Sequence, residues 1–428
     1  MVKKSRLKKR LSIFSRRVLH LLQKNKITAK GFVSKNQNCK EVFSHLDTNA
    51  ICNLNERKMF IMKKIDLKAI LLLLSTFPFW IYAQDQSFFM APEGQSIVAT
   101  DLHIHTAFSD GSVWPNIRVE EALKEGLDLI SITDHLEYQP HRDDLPNPDR
   151  NRSFDIAKGT AKKSKLTVIR GAEITRSMPP GHLNAVFIQD ANKLLFPDDP
   201  IAGIQEANRQ KGFVFWNHPN WEAQRKDGIA KLDPMHVELI DRKLLHGIEV
   251  VNFTTFSDEA IEIALENNLT MIGTSDIHKL TAWDFDIPQG GHRPMTFVIS
   301  KDNSPKEVKK ALFEGKTMVW FKELMIGKEE YLLEVVKANI SVSSPSYKDD
   351  ELIAKVTLKN HSANTLYLKY TGPFTFHQDG TIFKIEPYGE KSIDVKTLEI
   401  KASFELPLEL LNGVIGGKKH LSFSIKTQ

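Results

Sequence analysis

The chain has 428 residues, of which 41% are hydrophobic and 26% are charged, so it is long enough for two or three domains and apolar enough for globular cores. Its net charge of +5 is unevenly spread, because residues 1–61 contain 15 Lys and Arg against 3 Asp and Glu. The composition excludes a mainly disordered chain, and the rest of the sequence is net acidic.

A secretory signal peptide is predicted at residues 62–83. Three lysines between residues 63 and 68 precede an apolar stretch over residues 69–80, and Ala83 marks a cleavage point. A membrane-spanning helix is the alternative, but this stretch has about a dozen residues where about 20 are needed, and Pro78 interrupts it. Export predicts a periplasmic or secreted protein without a stable membrane anchor.

Residues 1–61 precede the signal and are interpreted as an upstream extension that is disordered and has no part in the fold. A basic arm could bind nucleic acid, but one that precedes an export signal makes little topological sense, so no nucleic-acid partner is expected. Cys39 and Cys52 both lie in this extension. The mature chain would therefore form no disulfides, and nitrogen and oxygen atoms would hold any metal.

After a linker at residues 84–96, strand-like and helix-like segments alternate over residues 97–325, which predicts βα units around a mainly parallel sheet or barrel. Seven apolar runs are the strand candidates: SIVATDLHIHT, LDLISITDH, LTVIRGAEIT, HLNAVFIQD, GFVFWNHP, GIEVVNF and LTMIGTSDIH. Residues 326–428 instead alternate apolar and polar positions between turn clusters, which predicts a small all-β, sandwich-like domain.

Polar side chains recur at or near the ends of the seven runs. They are His103, His105, Asp134, His135, Glu173, His182, His218, Asp276 and His278. His103 and His105 share one face of a strand, since residues i and i+2 point the same way. Only His182 comes at the start of its run. Burying so many ionisable groups without a cation would be costly, and imidazoles with carboxylates favour Zn²⁺, Mn²⁺ or Fe²⁺.

The stretches DLHIHTAFSDG, TDH, GAEIT and TSDIH, in this order, resemble the PHP superfamily, which is named for polymerase and histidinol phosphatase. With the export signal and the β-rich tail, the whole chain looks like the Sb-PDE family of PHP phosphodiesterases. The resemblance implies a distorted seven-stranded β/α barrel with three divalent metal ions.

The resemblance also implies a distribution of ligands among the metals. The first metal would be held by His103, His105, Glu173 and Asp276. Glu173 would bridge to a second metal held by His182 and His218. The third would be held by Asp110, His135 and His278.

The expected function is hydrolysis of a small-molecule phosphodiester by a hydroxide that bridges the metals. Asp134, beside a ligand histidine, is either an orienting residue or a loop cap. His292 and Arg293, just before a strand, are candidates for contacting the phosphoryl group or a solvated surface pair. A phosphomonoesterase and a metal-loaded binding protein without catalysis remain as alternatives.

Overall fold

The computed structural model describes residues 87–349 and 351–428. The upstream extension and the signal peptide predicted at residues 1–83 lie outside these described residues. Within the described part, no helix combines the length and the apolar character that a membrane crossing requires.

Strands and helices alternate through the first part of the structure, as the sequence predicts. The strands are β1 (Ser96–Asp101), β2 (Leu129–Ile132), β3 (Thr167–Ile174), β4 (Leu183–Val186), β5 (Phe213–Trp216), β6 (Gly247–Asn252), β7 (Thr255–Phe256), β8 (Thr270–Thr274), β9 (Met295–Ser300), β10 (Thr317–Phe321) and β11 (Leu324–Gly327). The helices are α1 (Pro115–Lys124), α2 (Arg152–Ala161), α3 (Ala202–Arg209), α4 (Pro234–Asp241), α5 (Asp258–Glu266), α6 (Thr281–Asp284), α7 (Pro305–Phe313) and, after β11, α8 (Glu329–Asn339).

Seven of these strands form the barrel, in the order β1, β2, β3, β4, β5, β6, β8. Its two edges meet at a parallel bridge between Ile104 and Ile277, and the amide of His105 donates to the carbonyl of Ile277. Strands β2, β5, β6 and β8 are buried along their whole length, which explains their continuous apolar runs. The predicted distorted seven-stranded β/α barrel is confirmed.

Strand β4 departs from the predicted parallel pattern, because it runs antiparallel to both β3 and β5. Only residues 175–182 connect β3 to β4, whereas a parallel crossover needs a dozen or more residues. The first residues of β4 therefore lie at the same rim as the last residues of its neighbours. This explains why His182 precedes its strand, while the other polar residues lie at the ends of their strands or just after them.

The C-terminal part is the predicted β domain, built of two sheets. Its strands are β12 (Ile340–Val342), β13 (Ile353–Asn360), β14 (Leu366–Tyr370), β15 (Thr375–Phe376), β16 (Ile382–Ile385), β17 (Glu390–Lys396), β18 (Glu405–Gly416) and β19 (Lys419–Lys426). One sheet has the order β12, β13, β17, β15. In the other, β18 pairs with β14 and β19 and also runs parallel to β11. The domain boundary predicted after residue 325 thus falls inside β11, and one sheet extends across both parts.

The described end of the predicted linker is packed against the barrel. Phe89 is 1% exposed, and its ring meets Phe297 edge-on at a centroid distance of 4.9 Å. Phe88, which is half-buried, meets Phe297 edge-on at 5.8 Å and Trp320 at a tilted angle at 5.4 Å. Burial of Phe89 contributes on the order of 1.5–3 kcal/mol and the packing of Phe88 adds to it, so this segment belongs to the core rather than to a free linker.

Candidate metal centre

One rim of the barrel brings together all nine residues that the sequence singles out as metal ligands. His103 and His105 follow β1, and Asp276 and His278 follow β8. The others come from the loop after residue 105, from the ends of β2, β3 and β5, and from the start of β4: Asp110, His135, Glu173, His218 and His182. Strand ends at one face of a barrel converge on one cavity, which is where active sites of β/α barrels lie.

Glu173 is the centre of the cluster. Its side chain is fully buried, and ring nitrogens of five histidines lie within 3.6 Å of its carboxylate oxygens. They belong to His103, His105, His135, His182 and His218. Asn217 also donates to Oε1 of Glu173 at 2.8 Å. A carboxylate with two oxygens in this position can bridge two cations.

The ligand atoms fall into three overlapping groups, in each of which they lie within 4.8 Å of one another. The groups are His103, His105 and Asp276; His135, Glu173 and His182; and His105, Asp110, His135 and His278. Eight of the nine residues are in these groups, and Nε2 of His218 lies 3.5 Å from Oε1 of Glu173. His105 and His135 each belong to two groups.

Several buried polar atoms in the cluster lack the hydrogen bonds that they would need if no metal were bound there. No well-directed hydrogen bond reaches Oε2 of Glu173, Oδ1 of Asp276 or Nδ1 of His218, although ring nitrogens lie 2.6 Å from the first atom and 3.1 Å from the second. Nε2 of His103 and Nε2 of His105 lie 3.0 Å apart, and both face Oδ1 of Asp276, at 3.2 and 3.1 Å. Buried polar atoms are almost always paired, so this geometry fits divalent cations held between nitrogen and oxygen atoms.

The charges in the cluster support the same conclusion. Burial alone would raise the pKa of Glu173 and of Asp276, but the surrounding imidazoles hold both well below their usual range. Burial and repulsion from neighbouring imidazoles lower the pKa of His105 to about 4. Against the effect of burial, nearby carboxylates raise the pKa of His135 to about 10 and that of His103 well above 6.5. The carboxylates are therefore ionised at neutral pH, while two imidazoles hold protons that a metal would displace.

Metal binding to the metal-free protein is expected to release protons and to weaken as the pH falls. Because the pKa of His103 is raised well above 6.5 and that of His135 to about 10, protons compete with the cation at neutral pH, and affinity should rise as the pH rises from neutral towards about 10. Calorimetric titration with Mn²⁺ in two buffers of different ionisation enthalpy measures the protons released. The His135→Gln variant should release fewer, and equal heats in both buffers would contradict the expectation.

Glu249, which was not predicted, orients two of the ligands from the middle of β6. It is 1% exposed, and its Oε1 accepts from Nδ1 of His103 at 2.8 Å and from Oγ1 of Thr274 at 2.6 Å. Its Oε2 accepts from the amide of His218 at 2.6 Å and from Asn252 at 2.8 Å. Since a carboxylate only accepts, Nδ1 of His103 keeps its proton, and Nε2 offers its lone pair to a metal once the cation displaces the second proton.

The Glu249→Gln variant is expected to bind metal about 10- to 100-fold more weakly, because His103 loses the partner that sets its tautomer and orientation. Competition with a fluorescent chelator measures the affinity. Glu266→Gln on the exposed face of α5 is the matched control and should bind as the unaltered chain does. Unchanged affinity in Glu249→Gln would show that His103 is positioned by other contacts.

Asp134 supports the site from behind rather than facing the cavity. It is 6% exposed, and it accepts from the amide and hydroxyl of Thr106 and from the hydroxyl of Ser109, each at 2.7 Å. Oγ of Ser109 in turn lies 3.4 Å from Nδ1 of His105. Asp134 thus caps the loop after β1 and positions His105 through it, which combines the two interpretations that the sequence left open.

The prediction that His292 and Arg293 contact the phosphoryl group is wrong. Arg293 is 0% exposed, because its guanidinium donates twice to Glu125, at 2.8 and 3.0 Å, and once to Asp101, at 3.0 Å. His292 stacks on Trp320 at 3.6 Å, outside the cavity at the metal cluster. The planar guanidinium does donate in pairs, but its partners are buried carboxylates rather than a phosphate.

Two of the ligands adopt strained backbone conformations. His218 has φ 28° and Asp276 has φ 46°, a region that side chains other than glycine enter rarely. Such conformations cost on the order of 1–3 kcal/mol and persist where the surrounding contacts enforce them. Both strands therefore turn sharply at the point where each must aim a ligand at the cluster.

A cavity of about 640 Å³ opens over the cluster. Its wall includes eight of the nine predicted ligands, all but His103. Among the described residues, no arginine lines it. The eight include members of all three groups of ligand atoms, so the cavity reaches each group. Besides the ligands, the charged residues in the wall are Glu222, Lys279 and Asp284.

Comparisons with known proteins agree with this geometry. Residues 101–278 match the model of the PHP domain, and residues 340–426 match that of an Ig-like domain. A solved structure from Bacteroides vulgatus, described as a two-domain protein containing a predicted PHP-like metal-dependent phosphoesterase, is 36% identical over 79% of this chain and 97% of that chain, with a TM-score of 0.74. A solved structure described as a putative metal-dependent phosphoesterase from Bifidobacterium adolescentis is 18% identical over 42% of this chain and 87% of that chain, with a TM-score of 0.33. No curated protein matches the chain.

Proposed function

Because this chain belongs to the PHP family, we propose that it is an exported phosphodiesterase that depends on divalent cations. The three groups of ligand atoms would each hold one cation, with Zn²⁺, Mn²⁺ and Fe²⁺ as the candidates. The observation that carries the proposal is the convergence of six imidazoles and three carboxylates on the floor of one open cavity.

The charges in the cavity wall support a diester rather than a monoester. A phosphomonoester carries a second negative charge near neutral pH, since its second pKa is about 6, and a diester does not. Beyond the candidate ligands, the wall offers one cation, Lys279, against the carboxylates of Glu222 and Asp284. That balance suits a substrate with a single phosphate charge and two organic substituents.

The bound cations would supply an acidified water and would stabilise charge on the phosphoryl oxygens. The side chains of the chain hold that arrangement in place. Glu173 joins the histidines of β1 to His182 and His218, and Asn252 donates to Oδ2 of Asp276 at 3.2 Å, which leaves Oδ1 facing His103. Asp110 lies 3.2 Å from Nε2 of His278 at the outer edge of the cluster.

The test compares bis(4-nitrophenyl) phosphate with 4-nitrophenyl phosphate, using the chain from residue 84 onward loaded in turn with each candidate metal. We expect the diester to have the higher kcat/KM, by about tenfold or more, and His103→Ala to abolish turnover of both esters. A preference for the monoester would favour a phosphomonoesterase. No turnover of either ester by folded, metal-loaded protein would overturn the proposal.

A further inference from the structure

Trp221 is tied to the metal centre by the turn that follows β5. Its amide donates to the carbonyl of His218 at 2.9 Å, and its carbonyl accepts from the amide of Arg225 at 2.7 Å. The indole meets His182 and His218 edge-on, with ring centroids 5.6 and 5.1 Å apart. The indole therefore has a defined position relative to two candidate ligands.

The indole also faces the space that a substrate would occupy. Trp221 is 46% exposed and forms part of the cavity wall. An exposed indole is unusual for packing alone, since a large aromatic side chain gains most of its stabilisation from burial. Its free surface is apolar and electron-rich, and it begins directly beside the metal ligands.

A second aromatic side chain in the wall comes from a different element. Phe253 follows β6 with φ 53°, a strained conformation for a bulky residue, and its ring packs on Phe285 at 5.5 Å. Asp284, at the end of α6, shares the wall with Phe253, and Glu222 directly follows Trp221. The wall of one cavity thus combines two aromatic side chains with two carboxylates.

We propose that Trp221, Phe253, Glu222 and Asp284 form the subsite for the second alcohol of the diester, and that this alcohol carries a quaternary ammonium group. The proposal rests on the proposed phosphodiesterase function and specifies its substrate class. Aromatic faces attract cations that have apolar surfaces, and carboxylates add long-range attraction.

Other alcohols fit this wall less well. An alcohol that bears a further phosphate would meet two carboxylates and a single lysine, Lys279. A neutral apolar alcohol could stack on Trp221, but it would gain nothing from Glu222 or Asp284. The charge of the wall therefore favours the cationic alcohol over a neutral one of the same shape.

The experiment uses two diesters with the same 4-nitrophenol leaving group. One is 4-nitrophenyl phosphorylcholine, and the other is 4-nitrophenyl 3,3-dimethylbutyl phosphate, in which carbon replaces the quaternary nitrogen. The ratio of their kcat/KM values is measured on the metal-loaded chain, with bis(4-nitrophenyl) phosphate as the reference. We expect the choline ester to be favoured by about tenfold.

Variants locate the subsite. Trp221→Ala and Glu222→Gln should each bring the ratio towards one, whereas Trp283→Leu, which alters a 72% exposed side chain outside the cavity wall, should leave it unchanged. Both esters are measured on the same sample of each variant. If Trp221→Ala loses metal, both rates fall together and the ratio of the two kcat/KM values does not change. Metal content measured on the same sample confirms the loading.

The outcomes separate the two proposals. Equal turnover of the two esters by the unaltered chain, or a ratio unchanged in both Trp221→Ala and Glu222→Gln, would overturn the subsite. Turnover of bis(4-nitrophenyl) phosphate with neither of the new esters would also overturn it and leave the phosphodiesterase function standing. Failure on all three diesters would overturn the phosphodiesterase function itself.

Discussion

Replacing Glu173 by glutamine is expected to lower phosphodiester turnover on the order of 10³-fold and to remove metal from the protein. Its carboxylate lies within 3.6 Å of ring nitrogens from five histidines, so it is shared by more candidate ligands than any other oxygen pair of the cluster. The amide of glutamine keeps the shape but not the charge. Cations that stabilise a phosphoryl transition state contribute several kcal/mol, and each 1.4 kcal/mol corresponds to about tenfold in rate.

Metal content by mass spectrometry and kcat/KM for bis(4-nitrophenyl) phosphate check this prediction together. Glu266→Gln on exposed α5 is the control for the exchange itself. Circular dichroism must show that the variant is folded, because the imidazoles hold the pKa of Glu173 well below its usual range and its charge therefore stabilises the metal-free fold at neutral pH. A Glu173→Gln protein with full metal content and full activity would rule out the bridging role.

Replacing Arg293 by alanine is expected to cost about 3–5 kcal/mol of unfolding free energy, because it leaves two buried carboxylates without their cation. Arg293 is 0% exposed and bonds to Glu125 and Asp101. Asp101 in turn accepts from the amide and hydroxyl of Ser275, at 3.2 and 2.5 Å. Asp101, held by Arg293, therefore links the end of β1 to Ser275 after β8, two residues before His103 and one residue before Asp276.

Urea denaturation of the metal-free protein measures this loss. Arg242→Ala is the control, since it breaks a half-exposed pair with Glu238 and should cost about 0.5 kcal/mol or less. Burial raises the pKa of Asp101 even with Arg293 present, and removing the guanidinium should raise it further. An acid with a raised pKa in the folded state binds protons on folding, so the deficit should shrink as the pH falls from 7 towards 5. A variant with unaltered stability and a raised KM would instead restore the phosphate-contacting role.

Most of the fold and of the metal ligands could be predicted from two features of the sequence: the periodicity of its apolar residues and the side-chain types at the ends of the predicted strands. Continuous apolar runs in β2, β5 and β8 are typical of strands buried on both faces, and alternation in β13 is typical of a sheet buried on one face. Both patterns involve residues that are close together in the sequence, so the fold class could be predicted without knowing the tertiary structure. The i, i+2 spacing of His103 and His105 is local in the same sense.

Glu249 shows why some site residues escaped prediction. A carboxylate within the buried run GIEVVN is itself a signal, because an ionised group is rarely placed there without partners. Its partners, however, are His103, Thr274 and the amide of His218, which are distant in the sequence. Arg293 lacked even a local signal, since the residues next to it in the chain did not indicate that its guanidinium would be buried against Glu125.

The side chains that can bind cations, and their places at strand ends, could be read from the chain, because ligand chemistry and strand periodicity are properties of neighbouring residues. Three features could not: β4 reverses and brings His182 to the common rim, Arg293 turns inward to Asp101 and Glu125, and β11 joins β18 in one sheet. Those outcomes depend on loop length, on burial and on partners up to 192 residues apart, and it is packing of the whole chain that selects them.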